Sequence, residues 1–244
     1  MPPLPRPPAA SGPPAASGPQ AGPVPRAAIE PRWPALLAVL VMAALLVGLP
    51  NRFRLFPIGL DCAITAMAVL PLLAVALSGG RQPWLRIERR LLWGFGAAVI
   101  GLGAANLTLL IRGMLFGGDR LSAIELLASG GALWVTNVVV FALTYWHADR
   151  GGPEARMGAP GPRSGLGPRP DWHFPQQDFS ELSAAWRPSF LDYLFLAYCT
   201  ATAFSPTGAV PLTARAQLLM LVQSAISLVT MALIAARAIN IVGS

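Results

Sequence analysis

Lysine is absent from this chain: its 18 basic residues are all arginine. Acids are scarcer, at 11, and charged residues fill only 12% of the 244 positions. An ordinary soluble domain carries roughly 25%. So little polar surface cannot cover a soluble globule, which makes a bilayer the expected solvent and partner. The two cysteines, Cys62 and Cys199, sit inside apolar runs and read as small hydrophobes without a disulfide framework. The two histidines, His147 and His173, have no His or Cys at ligand spacing, so no metal is expected. Phosphate loops, dinucleotide fingerprints, HExxH and Ser/His/Asp arrangements are missing, so neither enzyme activity nor a cofactor is expected. A net charge of +7 would suit nucleic acid, but the arginines are dispersed and form no basic stripe with interleaved aromatics. Nucleic acid is therefore excluded as a partner.

What is abundant is Ala, Gly, Pro and long apolar runs. Arginine in place of lysine in this company suggests a GC-rich bacterial genome, hence a multi-pass protein of the bacterial inner (plasma) membrane. Residues 1–32 form a Pro/Ala/Gly-rich tail, with 11 prolines in the first 31 positions, that can bury almost nothing and is expected to be disordered. Apolar runs at 33–50, 55–78, 91–116 and 121–146 predict a four-span membrane region of an all-α, polytopic helical bundle. Ala97, Gly101 and Ala105 offer a small face for close packing. A polar loop, 147–188, follows, in which 179–186 suggests an interfacial helix. Two further runs, 189–205 and 214–242, form a C-terminal hairpin. The first, at about 1.5 Å per residue, is about 25 Å long and short for the hydrocarbon core.

Two topologies compete. If 189–205 dips in and returns, the chain crosses five times. A cytoplasmic C-terminus, as in potassium channels, then leaves only Arg52, Arg54, Arg112, Arg120 and Arg237 inside. If 189–205 crosses fully, six spans place both termini inside with thirteen arginines against five. The positive-inside rule favours this second arrangement, N-in/C-in.

Thr200-Ala201-Thr202 reads like the end of a potassium-channel pore helix, which is commonly followed by a TVGYGD-type filter. Aligned on it, Ser205 and Thr207 fall on the filter glycines and Pro206 on the tyrosine. Successive carbonyls aimed at one axis need backbone angles that these residues resist. The likeness is superficial, and "SPTGAVP" reads as a tight turn closing an antiparallel hairpin.

The stretch from Trp186 to Val242, with its D-Y-L core, "ATAFSPT", "PLT", "QS" and "ARAIN", resembles the C-terminal signature of a family of uncharacterised multi-spanning bacterial membrane proteins. "YWHADRGGPEAR" and "FPQ" extend the likeness back to about residue 141. Relatives commonly have Asp where this chain has Gly208, and a second basic residue near Arg215. The resemblance implies a membrane fold and no particular activity.

The candidate functional residues are polar groups inside spans. Asp61, Arg112 and Glu125 fall within about two turns of the same face, with Arg112 expected between the acids. Gln223, Ser227 and Thr230 form a stripe on the last helix, continued by Arg237. Asp192 and Arg237 are expected to meet across the hairpin. The stripe is either a hydrogen-bonded packing seam or the wall of a polar pathway. The function expected first is a non-enzymatic membrane scaffold of unknown activity. The alternative is an ion or small-solute channel or transporter with a degenerate pore-like hairpin that is not potassium-selective. A homo-oligomer is left open.

Overall fold

The computed structural model describes residues 30–48, 58–116, 123–158, 169–179, 186–202 and 208–242. They are mostly helical: α1 (Trp33–Gly48), α2 (Ile58–Ser78), α3 (Gln82–Phe116), α4 (Ala123–Ala148), α5 (Pro153–Gly158), α6 (Phe190–Thr202) and α7 (Ala214–Val242). Three helical stretches are long and apolar enough to cross a membrane: 59–78, 128–151 and 214–236. α1 and α6 are apolar but shorter. The interfacial helix expected at 179–186 falls mainly on 180–185, outside the described residues.

α4 is the hub. Its second half, Val138–Ala148, is apolar almost all round and buried almost all round, as such a sequence demands. α1, α3, α6 and α7 pack about it. α7 runs antiparallel to α4: Arg215 meets Ala148, Gln223 meets Asn137, and Ile234 meets Gly130. A Cβ on Gly130 would lie 2.2 Å from Ile234 Cδ1, so glycine is what lets these helices approach there. The face of Ala97, Gly101 and Ala105 is not used among the described residues, where all three are exposed. Gly96 makes the close approach instead, against Thr144.

The expected antiparallel pairing of the last two helices is overturned. α6 is also antiparallel to α4, with Phe190 against Trp146 and Tyr198 against Trp134. α6 and α7 therefore run parallel, and their side-chain bonds confirm it. Gln223 donates to the Ala197 carbonyl, Ser224 to Thr200 and Ser227 to Ala201, so both partners climb together. Both helices start at one end of the bundle, and α6 stops about halfway along α7. Residues 208–213 lie back at the end of the bundle where α6 begins, beside β1 and Asp171. A short turn reads as a hairpin only if both arms are helical, and here the second arm is the extended stretch 208–213.

That return limb is held by backbone pairing. β2 (Val210–Pro211) runs antiparallel to β1 (Trp172–His173), with Trp172 opposite Pro211. The 147–188 loop thus supplies a strand, and its Trp172 and Phe174 are buried in the core. Gly208 has φ +64°, and a Cβ there would lie 2.5 Å from Pro175 Cγ. Gly208→Ala is expected to cost about 1–3 kcal/mol, through backbone strain and displacement of the limb. A lowered melting temperature in detergent checks this; an unchanged one argues against a fixed limb.

Candidate functional site

The half-helix α6, its return limb and α7 form the candidate site. Ser189 caps α6: its backbone N–H and its hydroxyl both donate to Asp192 Oδ2, each at 2.8 Å. Only the carboxylate half of a capping box is made, at the S-x-x-D spacing of "SFLD": the Asp192 N–H goes to the Ser189 carbonyl and not to its hydroxyl. The Asp192 carboxylate is thus engaged locally. Its helix start lies at the opposite end of the bundle from Arg237, near the end of α7, so the expected pairing of Asp192 with Arg237 does not fit the parallel course. The Arg237 side chain itself lies outside the described residues.

The stripe on α7 faces the protein. Gln223, Ser227 and Thr230 are all buried. Gln223 gives its amide N–H to the Ala197 carbonyl at 2.8 Å and accepts from Tyr145 Oη at 2.5 Å. Its own carbonyl accepts from Asn137 at 3.4 Å. Ser227 donates to Ala201 at 2.6 Å, and Thr230 donates within its own helix to Ile226 at 2.7 Å. The first of these contacts tie α4, α6 and α7 together in the buried middle of the bundle, where unpaired polar groups would be costly. A void of about 40 Å³ beside Thr136, Asn137 and Thr230 has room for little more than one water.

Asp61 is half-buried and lines a second small cavity with Thr65, Met42 and Thr136. Arg112 belongs to α3 and Glu125 to α4, but the side chains of both lie outside the described residues.

At the end where α6 begins, a buried ionic platform holds the bundle. None of its members stood among the candidate functional residues named from the sequence. Glu30 Oε1 accepts from Trp146 Nε1 at 2.9 Å and from the Phe190 N–H at 2.8 Å, while Oε2 accepts from Arg156 at 3.4 Å. Arg32 donates to Glu88 at 3.0 and 3.3 Å, to Glu154 at 3.4 Å and to the Glu30 carbonyl at 2.8 Å. Its guanidinium also stacks on Trp146. Arg156 closes the end of α4 by donating to the Trp146 and Asp149 carbonyls, and stacks over Tyr193. Asp149 accepts from the Asp171 N–H at 2.7 Å and from Tyr193 Oη at 2.5 Å. Asp171 in turn accepts from Thr213 at 2.6 Å and pairs with Arg215, which also donates to the Ala148 carbonyl at 2.8 Å. The return limb joins through the Leu212 N–H, which donates to the Asp171 carbonyl.

The sequence signal for this platform was weak. Its acids lie in stretches that read as tail, helix start and loop, and are separated from their partners by as many as 160 positions. Burial pushes the Glu30 carboxyl above its ordinary range, against the pull of Arg156. Burial likewise pushes Glu88 up to about 7, with Arg32 opposing and Glu154 and Glu30 assisting.

Comparison with protein-family models, curated proteins and solved structures gives no match to this chain.

Two outcomes are expected. Glu88 holds its proton in the folded chain to about pH 7 and loses it near 4.5 once unfolded. Its contribution to stability is therefore full below the lower value and is lost as pH rises through the upper one, by on the order of 3 kcal/mol in all. Glu88→Gln should flatten melting temperature against pH across that window. Separately, Gln223→Leu removes the amide that Tyr145 and Ala197 share and should cost about 1–3 kcal/mol; a chemical-denaturation midpoint measures it.

Proposed function

We propose that this chain is a channel-type integral membrane protein for ions or small solutes, with α6 and the limb back to Gly208 as a re-entrant element in its wall. The parallel course of α6 and α7 carries this reading. A half-helix that turns back inside a bilayer places non-helical backbone at membrane depth. That is tolerated only against protein or a water-filled cavity. Such an element is costly in a chain that needs only anchorage. The α6 C-terminus directs the negative end of a helix dipole at mid-depth, a feature suited to cations. With Ser205 and Thr207 in place of the filter glycines and Pro206 in place of the tyrosine, the element is not potassium-selective.

The same course supports five crossings instead of six, in the bacterial inner membrane. With the platform end in the cytoplasm, thirteen arginines lie inside: Arg6, Arg26, Arg32, Arg81, Arg86, Arg89, Arg90, Arg150, Arg156, Arg163, Arg169, Arg187 and Arg215. Five lie outside. The balance equals that of six spans, but the C-terminus is now external. Membership of the uncharacterised family that the C-terminal signature resembles belongs to the same reading.

A second reading has its own support. The bonds of Gln223, Ser227 and Thr230 are satisfied within the chain, as in a packing seam, which favours a non-transporting scaffold.

Flux through proteoliposomes, for monovalent cations, anions and small neutral solutes, separates the two. The channel reading expects flux above empty vesicles that falls in Gly208→Ala at a temperature where that variant remains folded. Absence of flux for every probe favours the scaffold. Reporter fusions at Gly118 and at the C-terminus are both expected on the outer face; a cytoplasmic C-terminus would restore six spans.

A further inference from the structure

We propose that residues Glu30–Arg32 form a proton-sensitive clamp, in which protonation at the Arg32–Glu88 pair changes how the N-terminal segment grips the half-helix α6. The proposal extends the channel reading to its regulation. It rests on that reading for its consequence and on the platform geometry for its existence.

The geometry has two halves on one short segment. Arg32 faces α3 and α5: two of its bonds go to Glu88 and one to Glu154. Two residues earlier, Glu30 faces α4, α5 and α6, and its Oε1 takes the backbone N–H of Phe190, the first residue of α6. An N–H at a helix start has no partner inside its own helix, so this carboxylate serves as a cap donated across 160 positions. Whatever moves Arg32 relative to α3 moves the cap relative to α6.

The charges are unbalanced in a way one proton corrects. Three carboxylates, Glu30, Glu88 and Glu154, surround two guanidiniums, Arg32 and Arg156. Glu88 and Glu30 are buried, while Glu154 keeps partial contact with solvent. The other buried groups facing the cluster do not supply the missing charge, and the neighbouring cation Arg89 is exposed to solvent. His147 on α4 gives its Nδ1–H to the Leu143 carbonyl and leaves Nε2 buried and without a partner. Asp149 and Tyr193 are engaged with each other, and Arg89 is the basic neighbour on α3 itself. Glu88 is the most enclosed of the three carboxylates, and its value of about 7 places the proton exchange near neutral pH. A neutral Glu88 is no longer an ion-pair partner for Arg32: the guanidinium keeps only hydrogen bonding to an uncharged carboxyl and loses the Coulomb attraction. Arg32 then turns toward Glu154 and the Glu30 carbonyl, its remaining partners, and the tie to α3 slackens.

The test reads position and needs no transport. In a Cys62→Ala/Cys199→Ala background, spin labels at Leu37 on α1 and Leu191 on α6, both exposed, report the distance between the clamp's helix and the half-helix. Full-length protein in nanodiscs is titrated from about pH 5 to about pH 9. The expected result is a shift in the distance distribution with a midpoint near 7, absent in Glu88→Gln and retained in Asp178→Asn, a control at the exposed His173 pair. Infrared difference spectra of the unlabelled chain should show a protonated-carboxyl band that titrates over the same range. A pH-invariant distance overturns the proposal, as does an unchanged response in Glu88→Gln. If that variant does not fold, absence of the infrared band overturns it equally. Loss of flux in the channel assay with an intact distance response would sink the channel reading and leave the clamp.

Discussion

A three-residue segment ahead of the first helix holds one end of this bundle. Through Glu30 and Arg32 it reaches α3, α4, α5 and α6, and it leads directly into α1. Asp149 and Asp171 carry the same network to the start of α7. Buried charges of this kind are poor sources of net stability, because desolvation offsets their attraction. Their effect is positional. Removing one partner strands another, so each helix end is fixed to a particular neighbour. The aromatic rings of Trp146, Trp172 and Tyr193 pack among the charges and keep water away.

The second constraint acts further along, where no water competes. A helix that stops halfway leaves its last carbonyls without intrahelical partners. In this chain Gln223, Ser224 and Ser227 donate to carbonyls near the end of α6, from a helix that runs beside it. The polar face of α7 is explained by this need as fully as by any pathway. The face that α7 turns outward is apolar, with Leu218, Leu221 and Leu228 exposed, as suits contact with lipid.

The two constraints act on one element. α6 has its start under Glu30 and Ser189 and its end under α7, while the return limb is tied down by β1, Asp171 and Arg215. The described parts of the 147–188 loop, 147–158, 169–179 and 186–188, owe their folding to this work. They supply Arg156, Asp171, Trp172 and Phe174 to the interior, although the loop's composition reads as a polar connector.

The sequence alone determined that this is a helical protein with apolar stretches suited to a bilayer, because length and hydropathy are local properties that packing does not reverse. It also marked Gln223, Ser227 and Thr230 as one face of one helix. Tertiary structure alone decided the direction of α6 against α7. Helical periodicity says which face is polar and nothing about what that face meets. A turn of a few residues is compatible with either a hairpin or a half-helix and an extended return. It also decided the ionic platform. Glu30, Glu88 and Asp171 are unremarkable acids where they stand in the sequence; they form a site because Coulomb attraction and hydrogen bonding depend on distance in space, and the fold brings together groups the chain keeps far apart.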